Sequence, residues 1–156
     1  MDVIEPWDGE PFGGAKLALI HGTELLTYLR DDRPDIPYPN HWDLPGGGRE
    51  GDESPTDCAL RELYEEFGLR LGTDCLTAGR RFSKSMDGPL PSYFFLGRIT
   101  PQQIDAIVFG DEGQRWRMMP LMEFLFHDQA VPALQERLLA LSQASGRVVS
   151  TSPDES

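Results

Sequence analysis

The residues with the clearest chemical potential are three glutamates near the C-terminal end of a predicted helix. Glu62, Glu65 and Glu66 stand at i, i+3 and i+4, so a helix places their carboxylates on one face. The negative end of a helix dipole disfavours acids by roughly 0.3–1 kcal/mol each. Such a cluster is either solvated or holds a cation. Converging carboxylate oxygens suit a hard divalent ion such as Mg²⁺ or Mn²⁺.

Neighbouring residues can shape this cluster. Arg61 lies four residues before Glu65 and next to Glu62, so its guanidinium can orient a carboxylate. The side chain of Glu53, just before the helix, can reach back to the glutamate cluster. The three glycines at Gly46–Gly48 predict a turn in which the backbone comes close, so that a carbonyl there can complete the coordination.

The helix that carries the cluster has clear limits in the sequence. Ser54 is a good N-cap, Pro55 fits the first helical position and Gly68 closes the helix. The spacing i, i+4, i+8 predicts a buried apolar stripe of Ala59, Leu63 and Phe67.

The elements around this helix alternate between strand and helix patterns. Strands are predicted over Lys16–Ile20, Glu24–Leu29, His41–Leu44, Thr77–Phe82, Ser92–Ile99 and Gln114–Met119. Helical segments are predicted over Thr100–Ile107, Pro120–Phe126 and Val131–Ala144. Asp31–Asn40 has three prolines and reads as a loop. Strands mixed with helices predict an α/β or α+β sandwich whose sheet is covered on both faces.

Length and charge limit the classes of function. A chain of 156 residues predicts one domain, here residues 1–145, with a polar tail over 146–156. Twenty-six acids against 14 bases give a net charge of −12, which argues against a long nucleic acid as partner. A small phosphate ligand is compatible with this charge if a metal ion supplies positive charge.

The chain carries no pattern that predicts a membrane or secretory location. No apolar run approaches the roughly 18 residues of a membrane span, and the N-terminus lacks a secretory signal. Cys58 and Cys75 have no metal-binding or redox spacing, which predicts reduced thiols in the cytoplasm. A monomer and a homodimer are both compatible with the sequence.

The acidic helix belongs to a longer motif. Its defined positions are Gly47, then Glu53 after five residues, then Arg61-Glu62-Leu63 after seven, and then Glu65-Glu66 and Gly68-Leu69 after one residue each. This pattern resembles the Nudix box at every defined position. Trp42-Asp43-Leu44-Pro45-Gly46 also resembles that family's entry to the box. The resemblance implies a Nudix-type α/β/α sandwich with a mixed sheet, and metal-dependent hydrolysis of a nucleoside diphosphate linked to another moiety.

The same resemblance implies roles for individual residues. Glu62, Glu65 and Glu66 would bind Mg²⁺ or Mn²⁺ with help from the Gly46 carbonyl, while Glu53 and Arg61 would shape the catalytic site. Phe109–Gln114 resembles the loop with which MutT-type enzymes, which hydrolyse oxidised purine nucleoside triphosphates, supply one further acid. Glu112 would then be a metal ligand or the general base. The alternatives are a solvated loop acid, or Asp111 or Asp105 in its place.

Substrate contacts are predicted from residue type. Five aromatic residues can stack a base, although each also fits a core position: Tyr38, Trp42, Phe94, Trp116 and Phe126. Three basic residues can reach phosphates: Arg80, Arg81 and Lys84. Asp128 stands where MutT-type proteins place a residue that reads the base edge, and its carboxylate suits guanine. We take Trp42, Arg80, Phe94 and Asp128 as the substrate-binding candidates.

Three hypotheses of function follow. The first is a Nudix pyrophosphohydrolase acting on a purine nucleoside triphosphate, including oxidised guanine forms, or alternatively on ADP-ribose or a sugar nucleotide. The second is a Nudix-fold nucleotide-binding module without turnover, although such modules commonly lose box carboxylates and all are present here. The third is an isomerase of the isopentenyl diphosphate type, which needs a Cys and His set that the sequence does not show.

Overall fold

The apolar runs of the sequence form strands of one sheet. The computed structural model describes residues 3–83 and 88–144. In these ranges the strands are β1 (Val3–Ile4), β2 (Gly14–His21), β3 (Glu24–Leu29), β4 (Trp42–Asp43), β5 (Gly46–Gly48), β6 (Leu76–Phe82), β7 (Ser92–Arg98) and β8 (Arg115–Pro120). The helices are α1 (Pro55–Phe67), α2 (Pro101–Asp105), α3 (Leu121–Phe126) and α4 (Pro132–Ala144), with a short 3₁₀ turn at Thr73–Cys75.

The sheet is mixed, as predicted. Its main path runs β1-β6-β7-β2-β3-β4, while β5 pairs with β2 and β8 pairs with β3. The pairs β1–β6 and β2–β7 are parallel, and the other pairs are antiparallel. Alternate residues of β2 enter two cores: Leu17 and Leu19 join the cluster beneath α1, and Ala18 and Ile20 join the cluster beneath α3 and α4. This layering confirms the predicted sandwich with both sheet faces covered.

The glycines predicted as a turn form strand β5 instead. Gly46 pairs with Lys16 and Gly48 pairs with Gly14, in antiparallel register. Gly46 has φ +133°, and a Cβ built there would lie 2.2 Å from the Ala15 carbonyl oxygen. Only glycine allows this close approach, so the segment packs as a strand on β2 and presents its backbone to α1.

Helix α1 confirms the predicted limits and buried face. The Ser54 hydroxyl accepts a hydrogen bond from the Asp57 N–H at 3.2 Å, and Pro55 is the first helical residue. Gly68 adopts the left-handed conformation with φ 68°. The apolar stripe is fully buried: Ala59, Leu63 and Phe67.

The other predicted elements agree with the observed bounds within one or two residues. No helix of the described chain is long and apolar enough to cross a bilayer. The predicted tail over 146–156 lies outside the described residues, and the single-domain boundary at residue 145 stays a prediction.

Candidate active site

Two of the helix glutamates lie directly against β5. Glu66 is 7% exposed, and its Oε1 accepts a hydrogen bond from the Gly46 N–H at 3.0 Å. A Cβ built on Gly47 would lie 2.7 Å from the Glu62 carboxylate. The two glycines therefore make room for carboxylates on the C-terminal half of α1, which gives the glycine of the sequence motif a physical role.

Arg61 joins the acids of the motif into one network. Its guanidinium binds both oxygens of Glu53, and its Nη2 donates to the Gly48 carbonyl at 2.8 Å. Its Nη1 lies 3.1 Å from both Glu62 and Glu65. The Arg61 guanidinium thus holds together the loop before α1, the strand β5 and the acidic face of α1.

Burial and charge set the ionisation of these acids. The hydrogen bond from Arg61 holds the pKa of Glu53 below its usual range. Burial raises the pKa of Glu62. Burial raises the pKa of Glu66 to about 8, against the opposing effects of the Lys16 ammonium and the Gly46 N–H. Buried carboxyls with raised pKa values are typical of functional sites.

The donor set fits a hard divalent cation by its chemistry. Glu62, Glu65, Glu66 and the Gly46 carbonyl would supply oxygen ligands only, as such ions prefer. In the part of the chain that the structure describes, no three acidic, His or Cys side chains already converge as a metal cluster. Arg61 bridges Glu62 and Glu65, and the Lys16 ammonium donates to the Gly46 carbonyl at 3.2 Å.

An open cavity of about 600 Å³ adjoins these carboxylates. It is lined by β5 and α1, by the loop between β3 and β4, and by the loop before β8. Glu62, Glu66 and Glu112 line it, and so does Asp111. Glu65 is half exposed and lies outside the lining, as do Glu53 and Arg61. The structure therefore brings Glu112 to the same cavity as two of the box glutamates.

A buried ion network beneath the cavity was missed by sequence reasoning. Asp43 is fully buried and lies 3.0 Å from the Lys16 ammonium and 2.9 Å from the Arg30 guanidinium. The Tyr28 hydroxyl donates to the same carboxylate at 3.1 Å. These residues are far apart in sequence and meet only because β3 pairs with β4 and β2 pairs with β5. The only sequence signal was the position of Asp43 just before the motif.

The four substrate-binding candidates lie outside the lining of this cavity, and their role stays a prediction. Trp42 and Phe94 are 5% and 0% exposed and belong to the core cluster beneath α3 and α4, so neither ring is free to stack a base. Arg80 lies over the Phe82 ring on β6. Asp128 is exposed in the connection between α3 and α4. Residue type suggested these contacts, but strand register and helix packing placed the side chains elsewhere.

The other aromatic and basic candidates for substrate contacts lie in different parts of the fold. Trp116 packs against the core beneath α1, and Phe126 is 75% exposed but outside the cavity. Arg81 is exposed on β6 and does not line the cavity, and Lys84 lies outside the described residues. Tyr38 is the one aromatic candidate of the described chain that lines the cavity.

Glu112→Gln should lower kcat with little change in KM. Glu112 lines the cavity and is exposed enough to exchange a proton with water. Because Asp111 lines the same cavity and can partly replace it, we expect a fall of about 10-fold, below the roughly 100-fold minimum usual for general-base loss. Steady-state kinetics with Glu136→Gln as control, at an exposed acid outside the cavity, checks this. An unchanged kcat would move the role to Asp111 or Asp105.

Comparisons with known proteins agree with this geometry. A family model described as the NUDIX domain matches residues 17–141. Diphosphoinositol polyphosphate phosphohydrolase 3-alpha from Mus musculus is 29% identical over 124 residues, covering 76% of this chain and 74% of that protein.

Solved structures show the same fold. A bifunctional NMN adenylyltransferase/ADP ribose pyrophosphatase from Francisella tularensis superposes with a TM-score of 0.71 at 21% identity, over 91% of this chain but only 43% of that chain. A MutT protein from Methanosarcina mazei Go1 gives a TM-score of 0.68 at 17% identity, over 88% and 98% of the two chains. Nudix hydrolases generally use divalent metal ions. The chain therefore belongs to the Nudix family of hydrolases, which act on diphosphate linkages.

Proposed function

We propose that this protein hydrolyses a diphosphate linkage in a nucleoside diphosphate derivative, with a purine nucleoside triphosphate as the favoured substrate and Mg²⁺ or Mn²⁺ as cofactor. One observation carries the proposal. Glu62 and Glu66 of the complete box lie against β5 and line the same cavity as Glu112. Acids on α1 and on the loop before β8 thus border one space that can hold a diphosphate.

The chain's own residues would divide the work as follows. A divalent ion would be held by Glu62, Glu65, Glu66 and the Gly46 carbonyl, and when bound it offsets the charge of the diphosphate and activates water. Glu112 would accept the proton of the attacking water. The water oxygen bonds to phosphorus while the bond from phosphorus to the bridging oxygen breaks. Arg61 would keep Glu53 and the acidic helix face in place.

The charge of the cavity favours a nucleotide over a more highly phosphorylated substrate. Its lining holds three cations and five acids: Lys16, Arg30 and Arg33 against Asp31, Glu62, Glu66, Asp111 and Glu112. Two of the cations pair with buried Asp43, and Arg33 pairs with Asp35. A substrate as anionic as the one named for the mouse relative would find few cationic partners here, whereas a di- or triphosphate needs fewer.

The purine preference rests on the loop Phe109–Gln114, which resembles that of MutT-type enzymes. The sequence predicts Asp128 as the residue that contacts the edge of the base, but Asp128 does not line this cavity. ADP-ribose and sugar nucleotides therefore stay in the test as competing substrates. A nucleotide-binding module without turnover is the competing class, and it would bind the same nucleotides without releasing phosphate.

A hydrolysis assay over a substrate panel tests the proposal. We expect hydrolysis of dGTP and 8-oxo-dGTP with Mg²⁺ or Mn²⁺, lower activity on dUTP and ADP-ribose, and none in excess EDTA. Chromatography of the nucleotide products detects each cleavage directly, because ADP-ribose yields AMP and ribose 5-phosphate without free phosphate. Full activity in EDTA would contradict the metal requirement. A clear preference for ADP-ribose or a diphosphoinositol polyphosphate would contradict the substrate class.

The proposal extends to partners and location. We propose a small nucleotide as the substrate and a monomer or homodimer in the cytoplasm. The free thiols of Cys58 and Cys75 support a reducing compartment. Light scattering of the purified protein distinguishes the two oligomeric states.

A further inference from the structure

The loop between β3 and β4 holds two residues in an unusual backbone conformation. Tyr38 has φ 50° and Asn40 has φ 58°, in the left-handed region that non-glycine residues rarely adopt. For a residue as large as tyrosine this conformation is strained, and such strain persists only where the surroundings enforce it. The backbone conformation of Tyr38 is therefore imposed by the contacts of its loop.

Three hydrogen bonds donated by two side chains hold the loop conformation. Arg30 Nε donates to the Pro37 carbonyl at 3.0 Å, next to Tyr38. Gln114 Nε2 donates to Asn40 Oδ1 at 2.9 Å and to the Arg30 carbonyl at 2.8 Å. Gln114 is the last residue of the loop that carries Glu112. The same side chain thus ties the Tyr38 loop to the loop of the proposed general base.

The anchored loop presents an aromatic face to the cavity. Tyr38 is 42% exposed and lines the cavity beside Ile36 and Pro37, with its ring edge-on to His41 at 5.5 Å. The other tyrosine in the lining, Tyr28, is 7% exposed. Of the two aromatic residues in the lining, Tyr38 is therefore the more exposed and the more accessible to a ligand.

We propose that Tyr38 is the residue on which the nucleobase of the substrate stacks. The inference rests on the proposed function and adds the base subsite to it. Ile36, Pro37 and Tyr38 are consecutive lining residues with apolar or aromatic side chains that suit a planar ring, and the acids proposed to act on the diphosphate line the same cavity. Base–aromatic stacking tolerates different bases, because every base has a π-face.

The test compares two substrates that share a triphosphate. dGTP carries the base, and 2-deoxyribose 5-triphosphate lacks it. Tyr38→Ala should raise KM for dGTP by about 10-fold or more and leave KM for the sugar triphosphate unchanged, because only the stacked ring is lost. Tyr38→Phe should keep the wild-type KM for both. Tyr38→Gly removes the ring and also relieves the backbone, so it should melt at a higher temperature than Tyr38→Ala and show the same KM defect.

A control substitution at a second exposed tyrosine tests whether the effect on KM is specific to the cavity. Tyr64 on α1 is also 42% exposed but lies outside the cavity, where it stacks with Arg70. Tyr64→Ala should leave both KM values unchanged. If wild type hydrolyses dGTP and Tyr38→Ala keeps its KM, or raises KM equally for both substrates, the stacking inference is wrong and the proposed function stands. If wild type acts on no nucleotide, both are wrong.

Discussion

Glu66→Gln is expected to lower turnover by more than about 100-fold while the protein stays folded. Loss of a residue that only supports a metal ligand typically costs roughly 10- to 100-fold in metal affinity or activity, so loss of a proposed direct ligand should cost more. The glutamine Oε1 can still accept the Gly46 N–H, and the change removes a buried carboxyl with a raised pKa. Folding stability should therefore be equal or higher.

Two measurements separate a chemical role of Glu66 from a structural one. Steady-state kinetics at saturating Mg²⁺ gives the change in kcat, and urea denaturation gives the change in stability. Glu136→Gln, the same substitution at an exposed position of α4, should match wild type in both. Near-native turnover of Glu66→Gln would count against the site, and an unfolded variant would show that the acid is structural.

Asp43→Asn should destabilise the fold by about 3 kcal/mol. The substitution leaves the Lys16 and Arg30 cations next to a neutral group in a buried site. Removing one partner of a buried ion pair costs roughly 3–5 kcal/mol, and the partial exposure of both cations places this case at the lower end. Urea denaturation at pH 7 measures the loss. Asp35→Asn is the control, because that acid pairs with Arg33 at the exposed surface and should leave the midpoint unchanged.

The effect of Asp43→Asn should depend on pH in a defined direction. Burial raises the pKa of Asp43, but the Lys16 ammonium, the Leu44 N–H and Arg30 lower it by more, so the pKa lies below its usual range. A depressed folded pKa contributes stability above the unfolded value of about 4, and this contribution is lost as pH falls further. The difference between wild type and Asp43→Asn should therefore be constant near neutrality and shrink below about pH 4. A difference that grew on acidification would contradict this assignment.

Local patterns predicted the elements and the chemistry of the acidic helix. The cap at Ser54, the left-handed Gly68 and the buried stripe of α1 depend on neighbours within the same helix, so spacing alone determines them. The same holds for the shared face of Glu62, Glu65 and Glu66. The resemblance to the Nudix box rests on these local positions, which is why the family could be recognised before the fold was known.

Contacts between segments that are far apart in the chain were not predictable from the sequence. The glycines of β5 look like a turn in isolation, and only the close approach of β2 makes them a strand. Asp43, Lys16 and Arg30 meet through strand pairing that no spacing rule connects. Trp42 and Phe94 suit base stacking by residue type, but packing against α3 and α4 buries them.

The sequence by itself thus determined the helix, its acids and the class of chemistry, because these follow from periodicities of one element. Only the tertiary structure decided which side chains border the cavity. That choice depends on strand register, on the close approach of β2 and β5, and on the loop held by Arg30 and Gln114. These are long-range contacts whose partners share no local pattern, so only the structure shows that Tyr38, of the five aromatic candidates, is the one that lines the cavity.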